Sequence, residues 1–540
     1  MGGPMDQDRT SKDNAALRLS AGGVVAQPGS SMMHAPISMA GRSVRSAATT
    51  IDSLFRANAA RRPDADAVID SPDRERVIGQ PPRHLTYAQA DRAVEAIATR
   101  LRQIGLPAGT VVGLQMPNIV ESVLTLLAIT RAGMVPAPLP LLWRRADCVA
   151  ALSRAGARAI ITYGHVDDMD HAQLALGIAA ELFPIRVVCG FGCGRVDGIV
   201  PFDDCLSADI ESTHELDVSL SESSPAAAIT FDMTADGPVA VLRDHAQLLA
   251  GGVLVQHRAT IQPRAAIVST IPATSFAGLA TSFVPWLLCT GTLILHHPFD
   301  PDALARQIAE HDGNILVVPD ALLLPLTQSE TLDTTRSLKS IIALWRSPDR
   351  VAASSQWPAD APNLVDVAAF GEAGLLASVR AANGRAAPWP TGNIVVAENG
   401  HDITLGRVAQ TVTGTLGLGG LLAASPLRLY DPEPTEAPDT GADLVDTGYS
   451  CRLTPNDETL VITASPVGLV NVGGYRFAMH DLQLHVRDID DNGVIAAFPH
   501  ALTGYRLAGH ATNSEVVRAK LEESGSNPLI SHAFHDRLPS

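Results

Sequence analysis

Two clusters in this chain bring together residue types that do chemistry elsewhere. Cys189, Cys193 and Cys205 lie close together, and thiolates at short spacing are common zinc ligands. Their C-x3-C spacing has no second close pair and no nearby histidine, so buried small thiols are expected rather than a metal site. Gly190, Gly192 and Gly194 follow an apolar run, as the glycines of a dinucleotide loop would. The third glycine of that fingerprint falls on Arg195 and no helical pattern opens behind it, which predicts a plain loop cluster.

The elements around these clusters must come from a large chain. Its 540 residues suggest two to four domains. A hydrophobic content of 46% supports large buried cores and excludes a mostly disordered chain. The net charge of −17, with no long basic run and only 4% aromatic residues, argues against nucleic-acid binding, which needs clustered cations and stacking surfaces. Six cysteines do not make a disulfide framework, and they suit a reducing cytoplasmic setting. The longest uncharged stretch, Ala265 to Phe299, is broken by Pro272, Pro285, Gly278, Gly291 and many hydroxyl residues, so it reads as buried strand, loop, helix and strand rather than a membrane span. Residues 1–50 lack an apolar signal core, and Asp6 replaces the hydroxyl of a myristoylation signal; a tail without fixed structure is expected there.

From Ile51 onward the pattern alternates. Thr86-Tyr87-Ala88-Gln89 is a capping-box start, followed by Ala90, Val94, Ile97, Leu101 and Ile104 at helical spacing and a stop at Gly105. Strands at Val111–Met116, Met134–Leu139, Arg158–Tyr163 and Ile185–Cys189 alternate with helices at Ile119–Arg131, Ala146–Ala155 and His171–Leu182, which implies parallel β-α-β units. A second block spans about 225–351, with strands at Ala226–Phe231, Ala265–Ile271, Thr292–His296 and Asn314–Val318 and helices at His245–Gln256 and Pro301–His311. Shorter strands with glycine-rich turns follow from Val395, and the Pro- and acid-rich Asp431–Asp439 reads as a linker or loop.

In order, Leu85-Thr86-Tyr87, Val112-Gly113-Leu114 through Pro117-Asn118, Pro272 to Leu279, Gly291-Thr292, Phe299-Asp300-Pro301, Phe370-Gly371, Thr447-Gly448 and Gly473-Gly474-Tyr475-Arg476 resemble landmarks of the adenylate-forming ligase superfamily. That family includes acyl- and aryl-CoA synthetases and peptide-synthetase adenylation domains. The resemblance implies an α/β fold: a large multi-layer N-terminal domain over 51–470 with a β-rich subdomain, then a small α+β C-terminal domain over 471–540. It also implies attack of a carboxylate on the α-phosphate of ATP, with Mg²⁺, followed by transfer of the acyl group to a thiol such as CoA or a carrier protein.

The same resemblance assigns site positions and shows where this chain departs from them. The family's phosphate loop, Thr-Ser-Gly-Thr-Thr-Gly-x-Pro-Lys-Gly, matches Phe231 to Ala240, anchored by Pro238 and by His245 seven residues later. Thr234 and Pro238 survive, Gly237 is one place from a glycine position, and Val239 replaces the lysine. Asp232 and Asp236 enter the loop; each like-charge contact with phosphate would cost about 4 kcal/mol at 4 Å and an effective dielectric near 20. The Mg²⁺ acid falls on Glu372 or on Gly374, depending on a two-residue deletion after Gly371. Tyr449 stands at the ribose-binding aspartate, two residues after Thr447, and Ser465 stands at the hinge arginine. Arg537-Leu538-Pro539-Ser540 stops just short of the usual catalytic lysine. The acyl pocket maps to Ser275, Phe276, Gly278 and Phe370, with Phe283 and Trp286 as further apolar candidates, each also a candidate for ordinary core packing.

Two functions follow as expectations. One is a divergent acid–CoA or acid–carrier ligase using ATP and Mg²⁺. The other is a silent pseudo-ligase needing no cofactor, which binds an acyl ligand or serves as a subunit for an active homologue. Losing one preorganised donor commonly costs about 10²–10³ in rate, which weighs against efficient adenylation.

Overall fold

The computed structural model describes residues 49–206, 226–234, 237–328, 337–398, 400–426, 444–455, 458–500 and 502–535. The expected tail before residue 49, the loop residues Ala235 and Asp236, the acid-rich Asp431–Asp439 and the terminal Arg537 lie outside these residues.

Local signals set the first elements. Thr86 caps the helix Tyr87–Gln103 in a reciprocal pair with Gln89, and Ala90, Val94, Ile97 and Leu101 form its buried stripe. The predicted alternation yields a five-stranded parallel sheet of Val111–Gln115, Val135–Pro138, Ala159–Tyr163, Val187–Phe191 and Ile199–Pro201. Both faces are covered, so these strands read as continuous apolar runs.

The larger sheet draws on distant segments. Asp66–Ile69 lies parallel to Thr292–Leu295, which is followed outward by Ala266–Ser269, Ile315–Pro319, Ser340–Trp345 and Asn363–Ala369, all parallel. Antiparallel strands His84–Thr86 and Leu375–Val379 close its two edges. Ala226–Phe231, expected among these strands, instead belongs to a separate antiparallel hairpin, Ala226–Thr234 against Gly237–Asp244. Its partner strand carries Arg243 and Asp244 beside apolar residues, which masked the period-2 signal.

The uncharged stretch is interior, as expected. Phe276 begins a continuous helical run to Cys289 whose middle, Leu279–Phe283, widens to a π-turn just before Pro285. Proline lacks the amide that a regular helix needs there, and a π-turn is one way to absorb the loss. Among the described residues no helix is long and apolar enough to cross a membrane. A six-stranded antiparallel sheet spans 389–464. The C-terminal lobe is α+β: Leu469–Val472, Tyr475–Ala478, Val494–His500 and Gly504–His510 form one sheet, packed with helices Met479–Ile489 and Ser514–Glu523 around Val486, Val517, Leu521 and Phe534.

Cys189, Cys193 and Cys205 are free and buried, and burial pushes each thiol up to about 12. They are unreactive packing groups.

Candidate functional site

The hairpin Ala226–Thr234/Gly237–Asp244 carries the segment matched to the phosphate loop. Thr234 pairs with Gly237 at its tip, and Thr234 Oγ1 donates to the Gly237 carbonyl at 2.9 Å. Gly237 has φ +98°, a conformation that favours glycine. Two residues before Thr234, the Asp232 carboxylate is not directed at an open loop. Arg476 of the small lobe donates to both its oxygens at 2.9 and 3.0 Å, and the Glu372 amide donates to Oδ2 at 2.8 Å. The expected repulsion of phosphate by a bare Asp232 therefore becomes a charge pair between the lobes, with both side chains close to nine-tenths buried.

Arg476 also donates to the Tyr449 hydroxyl at 2.7 Å. Burial alone would lower this guanidinium's pKa, but the nearby Asp232 and Tyr449 outweigh it and the net shift is upward. Tyr449 is fully buried, with its ring edge-to-face on Phe370 at 5.3 Å. An aromatic side chain thus fills the place matched to the ribose acceptor. Gly371, at φ +59°, passes so close to the Asp232–Arg476 pair that a Cβ would collide with both groups.

Glu372 is buried behind this pair. Its Oε2 accepts from Thr230 Oγ1 at 2.6 Å and from the Phe276 amide at 2.9 Å, and Arg243 Nη1 lies 3.6 Å away. Arg243 also donates to the Glu372 carbonyl and stacks 3.7 Å over the Phe276 ring. Burial raises the Glu372 carboxyl against the pull of Arg243, and burial lowers Arg243 to about 10.

A cleft of about 430 Å³ opens between the lobes, within the roughly 300–1,000 Å³ typical of small-molecule sites. Trp143, Phe231, Ile271, Leu344, Leu502 and Ile530 supply apolar wall, while Asp232, Arg346, Arg350 and Arg476 supply charge. Arg346 follows the buried strand Ser340–Trp345 at its C-terminal end, where loops of parallel sheets gather ligands. Asn471 of the small lobe donates to the Arg346 carbonyl at 2.6 Å, and Tyr475 Oη accepts from the Leu142 amide at 3.4 Å, which fixes the lobe across the cleft.

The structure brings together only part of the expected site. Ser275, Gly371 and Glu372 line the cleft. Phe276, Gly278, Phe370, Phe283 and Trp286 are buried side chains or backbone of the core; Phe276 packs on Arg243, and Gly278 sits against the Pro272 carbonyl. Thr234, Gly237 and Pro238 stay on the hairpin, outside the cleft lining. Thr447 Oγ1 donates to the Leu416 carbonyl at 2.9 Å and accepts from the Tyr449 amide at 3.3 Å, a local turn rather than a cleft group. Ser465, at the hinge-arginine position, donates to Asp349 at 2.8 Å. Sequence reasoning missed Arg243, Arg346 and Arg350. The available signal was a lone arginine just beyond the apolar run Ile341–Trp345.

The family described as AMP-binding enzyme matches residues 55–229. An amide bond synthetase from Marinactinospora thermotolerans superposes with a TM-score of 0.66, at 15% identity, over 89% of this chain and 94% of that one. The chain therefore has the fold of adenylate-forming enzymes. An artificially fused adenylation–carrier di-domain from Klebsiella oxytoca agrees at TM-score 0.61 and 17% identity, over 88% and 91% of the two chains. A beauvericin nonribosomal cyclodepsipeptide synthetase from Gibberella fujikuroi is 25% identical over 297 residues, which is 54% of this chain and 8% of that protein. A nonribosomal peptide synthetase from Curvularia clavata is 30% identical over 142 residues, 26% and 1% of the two. The chain thus matches only a small fraction of these curated relatives' length.

Adenylate-forming enzymes need a cation for polyphosphate and a carboxylate free for Mg²⁺, and the residues at the positions matched to those roles do not fit that demand. Val239 replaces the loop cation, and Arg476 is committed to Asp232 and Tyr449. Glu372 is committed to Thr230, Phe276 and Arg243. Among the described residues no group of three or more His, Cys, Asp or Glu side chains is placed to hold a metal ion.

Proposed function

We propose that this chain is a catalytically silent relative of the acid-adenylating ligases, which keeps its interlobe cleft as a binding site for a small carboxylic acid or acyl ligand. The observation that carries this reading is the Asp232–Arg476–Tyr449 cluster. At the positions matched to the phosphate loop and the ribose acceptor, a salt bridge and a buried phenol stand in this chain, which supports the reading. No adenylation step is assigned to the chain. Its own residues do two things: the apolar wall takes the body of an acid, and the cleft arginines take its charge.

The competing reading, an ATP- and Mg²⁺-dependent acid–CoA or acid–carrier ligase, is supported by the shared architecture. The likeness to an adenylation–carrier fusion also supports a carrier protein or an active homologue as partner. The six free cysteines fit a reducing compartment such as the cytoplasm.

Pyrophosphate exchange with ATP, Mg²⁺ and a broad panel of carboxylic acids separates the readings. The silent reading expects no exchange above background and no heat on titration of Mg·ATP into folded protein. Acid-dependent exchange at the rate of ordinary ligases would overturn it.

A further inference from the structure

The charges around the cleft do not pair off. Two carboxylates act on Arg346, Glu372 and Asp232, and each is engaged elsewhere: Glu372 faces Arg243 at 3.6 Å, and Asp232 holds Arg476 at 2.9 Å. Arg476 itself and the Tyr475 hydroxyl complete the groups acting on Arg346. Asp147 and Asp320 also line the cleft, but neither comes within ion-pair distance of it. Among the described residues the Arg346 side chain has one partner, Ser275 Oγ, to which Nη2 donates at 2.8 Å. A guanidinium carries five donors, and none of the other Arg346 nitrogens is both sealed from solvent and unpartnered, so they open on the cleft that the residue lines.

Arg346 is also held in place. Gly474 of the small lobe leaves room for its stem, since a Cβ there would stand 3.3 Å from Arg346 Cδ. The Asn471 side chain bonds both the Arg346 carbonyl and Ser347 Oγ. A fixed, half-buried cation with vacant donors costs free energy unless an anion reaches it. Burial lowers the pKa of this guanidinium by more than Glu372, Tyr475 and Asp232 raise it. The surroundings select what that anion carries. The Trp143 and Phe231 rings, 5.9 Å apart, form part of the wall, and Arg350, without an ion pair among the described residues, acts on Asp320 of the same cleft.

We propose that Arg346 is the specificity-determining anchor of the cleft, seating the carboxylate of an aromatic or medium-chain monocarboxylic acid whose apolar body lies along the Trp143–Phe231 wall. The inference rests on the silent-binder reading above. An acid held this way forms a charge-assisted contact between the lobes and needs neither nucleotide nor metal.

The test is calorimetric titration of the full chain with benzoate, phenylacetate, cinnamate, hexanoate and octanoate, each beside its neutral primary amide, and with inorganic phosphate and AMP. The same titrations are run on Arg346→Gln and Arg346→Lys after thermal melts confirm folding. The expected result is saturable binding of at least one acid, about tenfold or more weaker binding of its amide, and a similar loss in Arg346→Gln with partial recovery in Arg346→Lys. If an acid binds Arg346→Gln as well as it binds the native chain, or if acid and amide bind alike, the anchor is wrong while the silent-binder reading stands. Tighter binding of phosphate or AMP than of every acid overturns the carboxylate assignment. If no acid binds at all, both readings fail together. Should Arg346→Gln not fold, the acid-against-amide comparison on the native chain still decides the anchor.

Discussion

At the scale of single residues, His245 shows how a sequence landmark acquires a different duty in the structure. It opens the helix His245–Arg258, and its Nδ1 accepts the amide of Ile51, joining the helix Ile51–Arg61 to the hairpin's exit. Its Nε2 is buried without a partner, and burial lowers its pKa to about 4. Protonation would break the Nδ1 contact and place a positive charge at a helix N-terminus, both unfavourable. The sign of the pH effect follows. Because the folded pKa lies below the unfolded value near 6.5, the unfolded chain binds the extra proton between about pH 6.5 and 4, and stability falls as pH drops through that window. Against His245→Gln, the native chain should lose up to about 3 kcal/mol of relative stability between pH 7 and pH 4. Urea unfolding at a series of pH values measures this, and a pH-independent difference between the two proteins would contradict it.

At the scale of elements, the helix His245–Arg258 packs closely on the uncharged helical run that follows Ser275. Gly251 and Gly252 make that approach possible: a Cβ at Gly251 would meet the Phe276 ring at 2.7 Å, and one at Gly252 would collide with Val284. Helix propensity alone favours Gly→Ala by about 1 kcal/mol, whereas overpacking a core costs about 1–3 kcal/mol. At Gly252 the collision wins, so Gly252→Ala should lower the denaturation midpoint. In the helix His171–Glu181, a Cβ on Gly177 has only Arg145 Cδ at 3.9 Å nearby, and Gly177→Ala should raise the midpoint. Chemical denaturation of both variants checks the pair, and equal effects would mean that propensity rather than packing governs these helices. The same helical run shows what the sequence conveyed at this scale. Its lack of charge marked it as interior, but nothing local distinguished a wall of the acid pocket from core. Phe276 went to the core against Gly251 of that helix, and Phe283 and Trp286 went there in a cluster with Phe55 and Tyr87.

At the scale of the whole molecule, two lobes are joined through a few polar contacts around the cleft. Asp232–Arg476 sits at the centre, flanked by Asn471 on the Arg346 carbonyl and Tyr475 on the Leu142 amide. Because both members of the pair are largely buried, removing one strands the other. A double-mutant cycle of Asp232→Asn and Arg476→Gln should return a coupling of about 1–3 kcal/mol. Arg476→Gln alone should speed amide exchange in the strand Tyr475–Ala478. A coupling near zero, with unchanged exchange, would show that the lobes are held by packing instead.

The order of elements was legible residue by residue. Thr86 and Gln89 announced one helix start, apolar runs separated by helical spacing announced the parallel sheets, and free buried cysteines followed from their isolation. Those features are local, so a short window of sequence contains their cause. The site is different. Asp232 looked like a bare negative charge in a loop, and only the fold brought Arg476 to it from 244 residues away. Glu372 looked open to a metal until Arg243 and Thr230 closed on it. Which charges cancel, and that Arg346 is left over, depends on contacts of about 3–4 Å between remote segments. Coulomb and hydrogen-bond energies at that range are set by three-dimensional proximity, which no periodicity in the chain encodes.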